Sequence, residues 1–301
     1  IYDNNKKKIF ISRDPYGVRP LYLGYDQMNN FIFSSELKGI NEIAIFKNQF
    51  NPGFYLEYNI ITKEFVYRKY FNYNLSFSNI QYEEFILLGI KNKLYNSVKK
   101  RLLSDRPIGA LLSGGLDSSL VASIVAKYQK ELGKRIHTFS IGLQGATDLY
   151  YAKMVADHIG SIHHEVVVTE SDMLEAIPRV IEQIESYDTT TVRASTPMIL
   201  LCDYIKNNTN VTVLYSGEGA DEASGSYLYF QNAPSLTEFQ SEASRLLQDL
   251  QYFDVLRSDK SVSGCGLEVR VPFLDKDFIE YYMKIPPEYK ESKNQMEKFV
   301  L

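Results

Sequence analysis

A seven-residue segment, Ser113-Gly114-Gly115-Leu116-Asp117-Ser118-Ser119, separates two different patterns of apolar residues. Residues 108–112, just before it, form a short apolar run, and the apolar residues at 120–125 recur with the spacing of a helix. This order predicts a buried strand, a tight glycine turn and the first turn of a helix. Adjacent glycines leave backbone N–H groups uncovered, and the positive end of the helix dipole lies at the same place. We therefore predict an anion site here, with a phosphate or pyrophosphate group as its ligand.

Asp117 lies inside this predicted anion site, where a carboxylate would repel a phosphate unless a cation stood between them. Magnesium meets that requirement, because it is commonly bound by one or two carboxylates together with phosphate oxygens. The chain contains no G-x-x-x-x-G-K-[ST] sequence, so the segment is not a Walker P-loop. The alternative interpretation is an ordinary glycine turn capped by serines. The complete seven-residue string between a strand and a helix favours the phosphate site.

Strands and helices alternate from about residue 83 onward. Helices are predicted at 83–101, 148–159, 171–186 and 196–206, and strands at 136–141, 165–168 and 211–215. Pro178 is expected to kink or split the helix that contains it. Such alternation predicts a parallel sheet covered on both faces by helices.

The first 71 residues have a different sequence pattern, with short β-rich runs separated by turn residues. The runs are 8–11, 21–25, 30–34, 54–58 and 64–67. They predict a β region with antiparallel pairing. Residues 72–82 are polar and rich in turn formers, which makes them the predicted linker between the two parts of the chain.

A second glycine-rich loop with acidic residues, 216–222, follows the predicted strand at 211–215. Ligands of parallel sheets bind beyond the carboxyl ends of the strands, near the point where the strand order reverses. We therefore expect Asp117 and Asp221 to hold one magnesium ion from opposite sides, with Glu218 nearby as a base. The alternative is a helix start at which acidic side chains are favoured by the helix dipole.

Composition excludes several classes of protein. The formal net charge of −4 over 301 residues disfavours a nucleic-acid partner. No apolar run reaches the roughly 20 residues of a membrane-spanning helix, so no membrane partner is expected. Cys202 and Cys265 are the only cysteines and do not form a disulfide framework, which fits a reducing compartment and a cytoplasmic location.

The phosphate loop resembles that of the ATP-pyrophosphatase family, and together with the second loop it resembles glutamine-hydrolysing asparagine synthetase. Further matching segments are 187–198, 268–275 and 296–298 in the synthetase part and 12–24 and 35–38 in the glutaminase part. The resemblance implies an α/β, parallel-sheet domain of the ATP-pyrophosphatase (adenine nucleotide alpha hydrolase-like) type at 83–301. It implies part of an N-terminal-nucleophile glutaminase β-domain, of the class II amidotransferases, at 1–75.

The activity implied by this resemblance is ATP-dependent amidation of L-aspartate to L-asparagine through β-aspartyl-AMP, with release of AMP and pyrophosphate. ATP and Mg²⁺ are the implied cofactors, and glutamine hydrolysis normally supplies the ammonia. The implied partners are therefore the small molecules aspartate, glutamine or ammonia, and ATP, and a homodimer is left open.

Individual site residues also follow from the resemblance. Glu218, Arg193 and Lys298 are implied to be catalytic: Glu218 as proton acceptor, Arg193 bracing the site, and Lys298 offsetting phosphate charge. The alternatives are a salt-bridged structural arginine for Arg193 and a solvated helix lysine for Lys298. Asp14 matches a glutamine-binding aspartate, and Asp117 and Asp221 match metal ligands. The implied ATP-binding residues are Leu112, Ser113, Gly114, Gly115, Asp117, Ser118, Ser119, Ile141, Ser216 and Gly217.

The nucleophilic cysteine of the family's glutaminase has no counterpart in the given sequence, which begins at Ile1. On that basis this polypeptide is expected to use free ammonia. Two other functions stay open at this point: a β-lactam-synthetase-like enzyme that adenylates a carboxyl group, and a non-catalytic nucleotide-binding relative.

Overall fold

The computed structural model describes residues 1–72, 77, 82–291, 298 and 300–301. Backbone contacts divide the chain into two compact units. The first consists of Ile1–Asn74 with Gln248–Leu256, and the second of Leu75–Leu247 with Arg257–Leu301. Most of the predicted linker, 72–82, lies outside the described residues.

The first unit is built from short antiparallel strands. They are β1 (Tyr2–Asp3), β2 (Lys8–Ser12), β3 (Tyr22–Tyr25), β4 (Phe31–Ser34), β5 (Phe46–Gln49), β6 (Phe54–Asn59) and β7 (Phe65–Lys69). One sheet has the order β1-β2-β6-β7 and the other the order β4-β3-β5. The predicted antiparallel β region is confirmed. Strand β5 is absent from the predicted runs, because it has a single apolar residue and is defined by its pairing with β3.

The second unit alternates helices with strands. Its helices are α1 (Glu83–Lys100), α2 (Leu116–Glu131), α3 (Thr147–Ile159), α4 (Glu170–Ile184), α5 (Thr189–Asn208), α6 (Ala220–Ser224), α7 (Leu236–Asp249), α8 (Asp254–Ser263) and α9 (Lys276–Tyr282). Its strands are β8 (Ile108–Leu111), β9 (His137–Leu143), β10 (Ile162–Val168), β11 (Val213–Tyr215) and β12 (Glu268–Arg270). The last two residues of α7 and the first three of α8 fall within Gln248–Leu256, which is assigned to the first unit. Among the residues that the structure describes, no helix is long and apolar enough to cross a membrane.

These five strands form one parallel sheet with the order β10-β9-β8-β11-β12. The predicted parallel sheet is confirmed. From β8 the chain moves outward through β9 to β10, and it later returns to the other side of β8 as β11. The order therefore reverses between β8 and β11, and the loops that follow these two strands leave the sheet side by side. Ligands of open α/β sheets bind at such a point.

The centre of the sheet is fully packed. Four of its residues are fully buried: Ala110, Phe139, Leu214 and Tyr215. Gly109 of β8 is needed for this packing, because a Cβ there would lie 2.7 Å from a ring carbon of Phe139. A buried large apolar side chain contributes roughly 1.5–3 kcal/mol to stability, so these strands form a rigid base for the loops above them.

Helices α4 and α5 differ from their sequence predictions. Helix α4 runs through Pro178 without interruption, and its buried face continues on both sides of the proline. Of the two expected effects, the split is wrong and the kink stays a prediction. Helix α5 begins at Thr189, seven residues before the predicted start at 196. The side chain of Asp188 accepts the backbone N–H of Thr191 at 2.8 Å. This N-cap compensates for the low helix propensity of the threonines that follow it.

Lys290 is a buried basic residue of the second unit. Its Nζ donates to Oε1 of Gln240 at 3.0 Å and lies 5.9 and 5.8 Å from the ring centroids of Phe239 and Tyr282. Burial opposes the positive charge and lowers the pKa of Lys290 to about 7. A lysine in the unfolded chain has a pKa of about 10.4.

Between these two pKa values the unfolded chain binds a proton that the folded chain has released, so the free energy of unfolding rises with pH. We expect Lys290→Met to remove this rise and to stabilise the chain most at and below the folded pKa. Urea unfolding over a pH series measures the effect, with the exposed Lys130→Met as control. An unchanged pH slope in Lys290→Met would contradict the prediction.

Candidate functional site

The loop after β8 is folded tightly against its own helix. The hydroxyl oxygen of Ser118 accepts the N–H of Ser113 at 3.2 Å and lies 3.0 Å from the hydroxyl of Ser113. Gly114 has a φ of +84°, and a Cβ there would lie 2.6 Å from the backbone nitrogen of Ala152. The positive φ and the close approach to Ala152 both require glycine at position 114, so the compact turn follows from the sequence.

Gly115 is the N-cap of α2 and provides no side-chain cap. The hydroxyl of Ser119 turns back to the carbonyl of Gly115 at 2.6 Å, as the helix begins. The first turn of an uncapped helix presents backbone N–H donors and the positive end of the dipole. This is the arrangement that binds phosphate groups at helix N-termini.

The loop after β11 lies directly against this turn. A Cβ on Gly217 would be 2.8 Å from the backbone nitrogen of Ser118 and 3.0 Å from Cβ of Asp117. The preceding Ser216 is buried, and its N–H donates to the carbonyl of Arg270 at 2.9 Å. The two glycine loops therefore form one continuous surface at the reversal point of the sheet.

Lys298 joins the acidic residues of the two loops. Its Nζ contacts Oδ2 of Asp117 and lies 2.7 Å from Oδ1 of Asp221. Burial opposes the charge on the lysine, but the hydrogen bonds to the two carboxylates outweigh it and raise the pKa of Lys298. The ammonium therefore stays charged, and it bridges the two loops.

Asp117 has an oxygen suited to a metal ion. Its Oδ1 is buried and has no hydrogen-bond partner among the residues that the structure describes. Carboxylate oxygens are the ligands that Mg²⁺ prefers, usually with substrate phosphates completing its shell. No group of three or more His, Cys, Asp or Glu side chains suited to a metal occurs in the described part of the chain. Asp117 thus offers an oxygen to a metal that takes its other ligands from a substrate or from water, and Asp221 as a second ligand stays a prediction.

Glu218 is held by a residue that sequence reasoning missed. Nη2 of Arg257, on α8, donates to Oε2 of Glu218 at 3.0 Å, and both side chains are largely buried, with 14% and 15% exposure. Arg257 is one of several charged residues along α8, and its spacing gives no sign of a partner 39 positions away. It could have been found only from the fold.

Leu112 and Ile141 lie at the carboxyl ends of adjacent strands. Leu112 is buried, and its N–H donates to the carbonyl of Phe139 in β9 at 2.8 Å. Ile141 is half-buried two residues before the end of β9. The adenosine-framing role predicted for them stays a prediction.

Among the described residues, no hydrogen bond or ion pair joins Arg193 to the acidic cluster. It is exposed on α5 and forms no hydrogen bond or ion pair with the residues that the structure describes. It lines a groove of about 570 Å³ between α4 and α5, together with Tyr187 and Thr196. Its bracing role stays a prediction.

Asp14, in the first unit, organises its own loop. Its carboxylate accepts the backbone N–H groups of Tyr16 and Val18 at 3.0 Å each and that of Arg19 at 3.3 Å. Glutamine binding by Asp14 stays a prediction.

The fold and the cluster define a class of protein. A parallel sheet with an anion loop at its reversal point, next to paired carboxylates and a lysine, is typical of nucleotide-binding α/β proteins. Residues 89–245 and 231–301 match the family model described as asparagine synthase, and residues 1–74 match a glutamine amidotransferase domain. The chain belongs to the asparagine synthase family.

Curated relatives match the whole chain. It is 42% identical over 321 residues to a probable glutamine-hydrolysing asparagine synthetase of Dictyostelium discoideum, covering 57% of that protein. It is 41% identical over 310 residues to the asparagine synthetase 1 of Lotus japonicus, covering 52% of it, and 41% identical over 326 residues to the human asparagine synthetase, covering 58%. Each alignment includes 100% of this chain. The chain therefore spans slightly more than half the length of these relatives.

Gly217→Ala tests the contact between the two loops. The added methyl group would stand 2.8 Å from the nitrogen of Ser118, so one loop must move away from the other. We expect ATP binding to fall at least tenfold, a loss of about 1.4 kcal/mol, while the fold is retained. Isothermal titration calorimetry with ATP and magnesium measures this change in affinity.

The matched control is Gly133→Ala, where a Cβ meets no atom within 4 Å and only the φ of +69° opposes it. This control should lose stability, by roughly 1 kcal/mol, and keep nucleotide binding. Equal binding by the parent and Gly217→Ala would show that the loop contact does not shape the site.

Proposed function

We propose that the chain catalyses the ATP-dependent amidation of L-aspartate to L-asparagine through β-aspartyl-AMP, releasing AMP and pyrophosphate. The observation that carries this proposal is the direct contact between the two glycine loops, which brings Asp117, Asp221 and Lys298 into one cluster beside a helix N-terminus. Family membership and the names of the relatives support the same reaction. These relatives favour it over the β-lactam-synthetase-like alternative.

In the first step an aspartate carboxylate oxygen attacks the α-phosphorus of ATP. The bond from this phosphorus to the oxygen that bridges the α- and β-phosphates breaks, and pyrophosphate leaves. The leaving pyrophosphate would lie against the uncapped first turn of α2. The hydroxyls of Ser113, Ser118 and Ser119 would become further donors by turning away from their contacts within the loop, such as that of Ser119 with the carbonyl of Gly115. Leu112 and Ile141, with the backbone of Ser216 and Gly217, would frame the nucleotide.

Asp117 and Asp221 would hold Mg²⁺, as the unpartnered buried oxygen of Asp117 suggests. The ion would supply positive charge that offsets the negative charge on the phosphates as the bond breaks. Lys298 would add a second, mobile positive charge at the same place. Charge stabilisation in a site with little water is a large part of the catalysis of such steps.

In the second step ammonia attacks the acyl carbon of the adenylate, and the acyl–phosphate bond breaks with AMP leaving. The nitrogen must lose a proton on the way to the neutral amide. Glu218 would accept this proton, since it is a carboxylate in the loop that contacts the nucleotide site. Arg193 would brace the site, and its exposure leaves its guanidinium accessible to a ligand.

The first unit would contribute the amido donor. Its match to a glutamine amidotransferase domain supports ammonia supply by glutamine hydrolysis in the whole protein, with Asp14 binding glutamine. A homodimer and a cytoplasmic location are further predictions. No nucleic acid or membrane partner is proposed.

The products of ATP distinguish this reaction from most other ATP-dependent amidations. We expect repeated turnover of ATP to AMP and pyrophosphate only when aspartate, ammonium and magnesium are all supplied, because the carboxyl group is adenylated and ammonia then displaces AMP. Chromatography of the nucleotides, with a pyrophosphate assay, measures this. Formation of ADP and phosphate instead would refute the proposed chemistry.

Glu218→Gln separates the two steps. We expect asparagine formation to fall at least about 100-fold, the usual contribution of a general base, while aspartate-dependent exchange of pyrophosphate into ATP is retained. Amide formation by Glu218→Gln at the parent rate would remove Glu218 from the mechanism.

A further inference from the structure

Helix α8 carries two basic residues, Arg257 and Lys260, that are spaced three positions apart and so lie on one face of the helix. Each forms an ion pair with a glutamate from a different part of the second unit: Arg257 with Glu218 and Lys260 with Glu185. The mechanism proposed above uses Glu218 but neither basic residue.

The pair of Lys260 and Glu185 holds the helix in place. The side chain of Lys260 is 0% exposed and that of Glu185 9% exposed. Glu185 is the residue at which α4 ends, in a left-handed conformation with a φ of +57°. Gln183, two residues earlier, donates to the carbonyls of Lys260 and Ser261 at 3.3 and 3.0 Å. Removing one partner of such a buried pair is strongly destabilising, so α8 is firmly anchored.

This anchored helix presents Arg257 to Glu218. The Nη2–Oε2 distance of 3.0 Å is that of a good charge-assisted hydrogen bond. Glu218 itself lies between Gly217 and Gly219 in the loop after β11, and Gly219 has a φ of +89°. A glutamate between two glycines has little restraint from its own backbone, so its orientation needs a partner from another element.

We propose that Arg257 is a positioning residue, which holds the Glu218 carboxylate in one orientation so that Glu218 accepts the proton lost by the attacking ammonia. This inference rests on the function proposed above and adds a residue to it. Arg257 acts through Glu218 and forms no bond to the reacting atoms. Nitrogen attack and proton transfer to the carboxylate balance without any further reactant.

The chemistry of arginine suits this role. A guanidinium stays charged at all working pH values, and its planar fork fixes the direction of a carboxylate, whereas a lysine ammonium acts as a point charge. A general base must lie within about 2.6–3.2 Å of the atom whose proton it accepts, so a rotated carboxylate loses most of its effect. The first step, adenylation, requires no proton transfer to Glu218 and should be insensitive to Arg257.

The experiment compares the two half-reactions in Arg257→Gln. Aspartate-dependent exchange of labelled pyrophosphate into ATP reports adenylation, and asparagine formation with ammonium reports the second step. We expect exchange within about threefold of the parent and amide formation reduced about 100-fold, the usual effect of losing a general base. Arg257→Lys, which keeps the charge but not the fork, should recover part of the loss.

A change of nucleophile distinguishes base positioning from a structural role. Hydroxylamine is a weaker base than ammonia, so the nitrogen of its tetrahedral adduct is more acidic and loses its proton with less help from Glu218. The defect of Arg257→Gln should therefore be much smaller with hydroxylamine than with ammonium. In the double variant with Glu218→Gln, the two losses should not multiply, since both remove the same step.

Arg245→Gln is the matched control. Arg245 forms an ion pair with Glu242 at 2.7 Å on the exposed side of α7, and its loss should leave both half-reactions unchanged. Thermal unfolding of every variant tests the fold, and Arg257→Lys keeps the inference testable if Arg257→Gln does not fold.

Three results would overturn the inference: equal loss of both half-reactions, equal defects with both nucleophiles, or multiplicative losses in the double variant. A parent chain without aspartate-dependent AMP formation would overturn the proposed function and this inference with it. An active parent with a fully active Arg257→Gln would overturn the inference alone.

Discussion

The backbone of Gly217 lies so close to the first turn of α2 that a methyl group would not fit between them. This contact depends on three features: a parallel sheet whose order reverses between β8 and β11, a helix that starts directly after β8, and a residue without a side chain at position 217. The remaining groups of the cluster are arranged around it. Asp117 and Asp221 belong to the two loops in contact, and Lys298 bridges them from the far end of the chain. Local sequence thus sets each loop, and the sheet order brings the loops together.

Much of this architecture is predictable from sequence. The apolar run before Ser113 and the helical spacing after it predict the strand, turn and helix that the structure contains. The alternation of elements after residue 83 predicts the parallel sheet, because helices on both faces leave its strands buried. The glycines at 114, 115 and 217 predict close approach of the backbone. These features share a local cause: they are determined by residues within one or two elements of each other.

Other features depend on residues far apart in sequence. Arg257 meets Glu218 only because α8 packs beside the loop after β11, and no spacing along the chain indicates that pair. The early start of α5 depends on one side-chain cap at Asp188, which outweighs the threonines that follow. Strand β5 exists because β3 offers it an edge, although its own sequence is mostly polar. Family resemblance identified Lys298, whereas its position between two carboxylates is a property of the folded chain.

The balance of charge at the loop contact has a consequence for how the proposed nucleotide and metal would bind. Two carboxylates and one ammonium leave this cluster with a single net negative charge, which repels a free polyphosphate. Under the function proposed above, a divalent cation bound to the carboxylates would reverse that sign and make the same surface attractive to the anion. Nucleotide and metal would then be favoured together over either one alone, so saturation by each should depend steeply on the supply of the other.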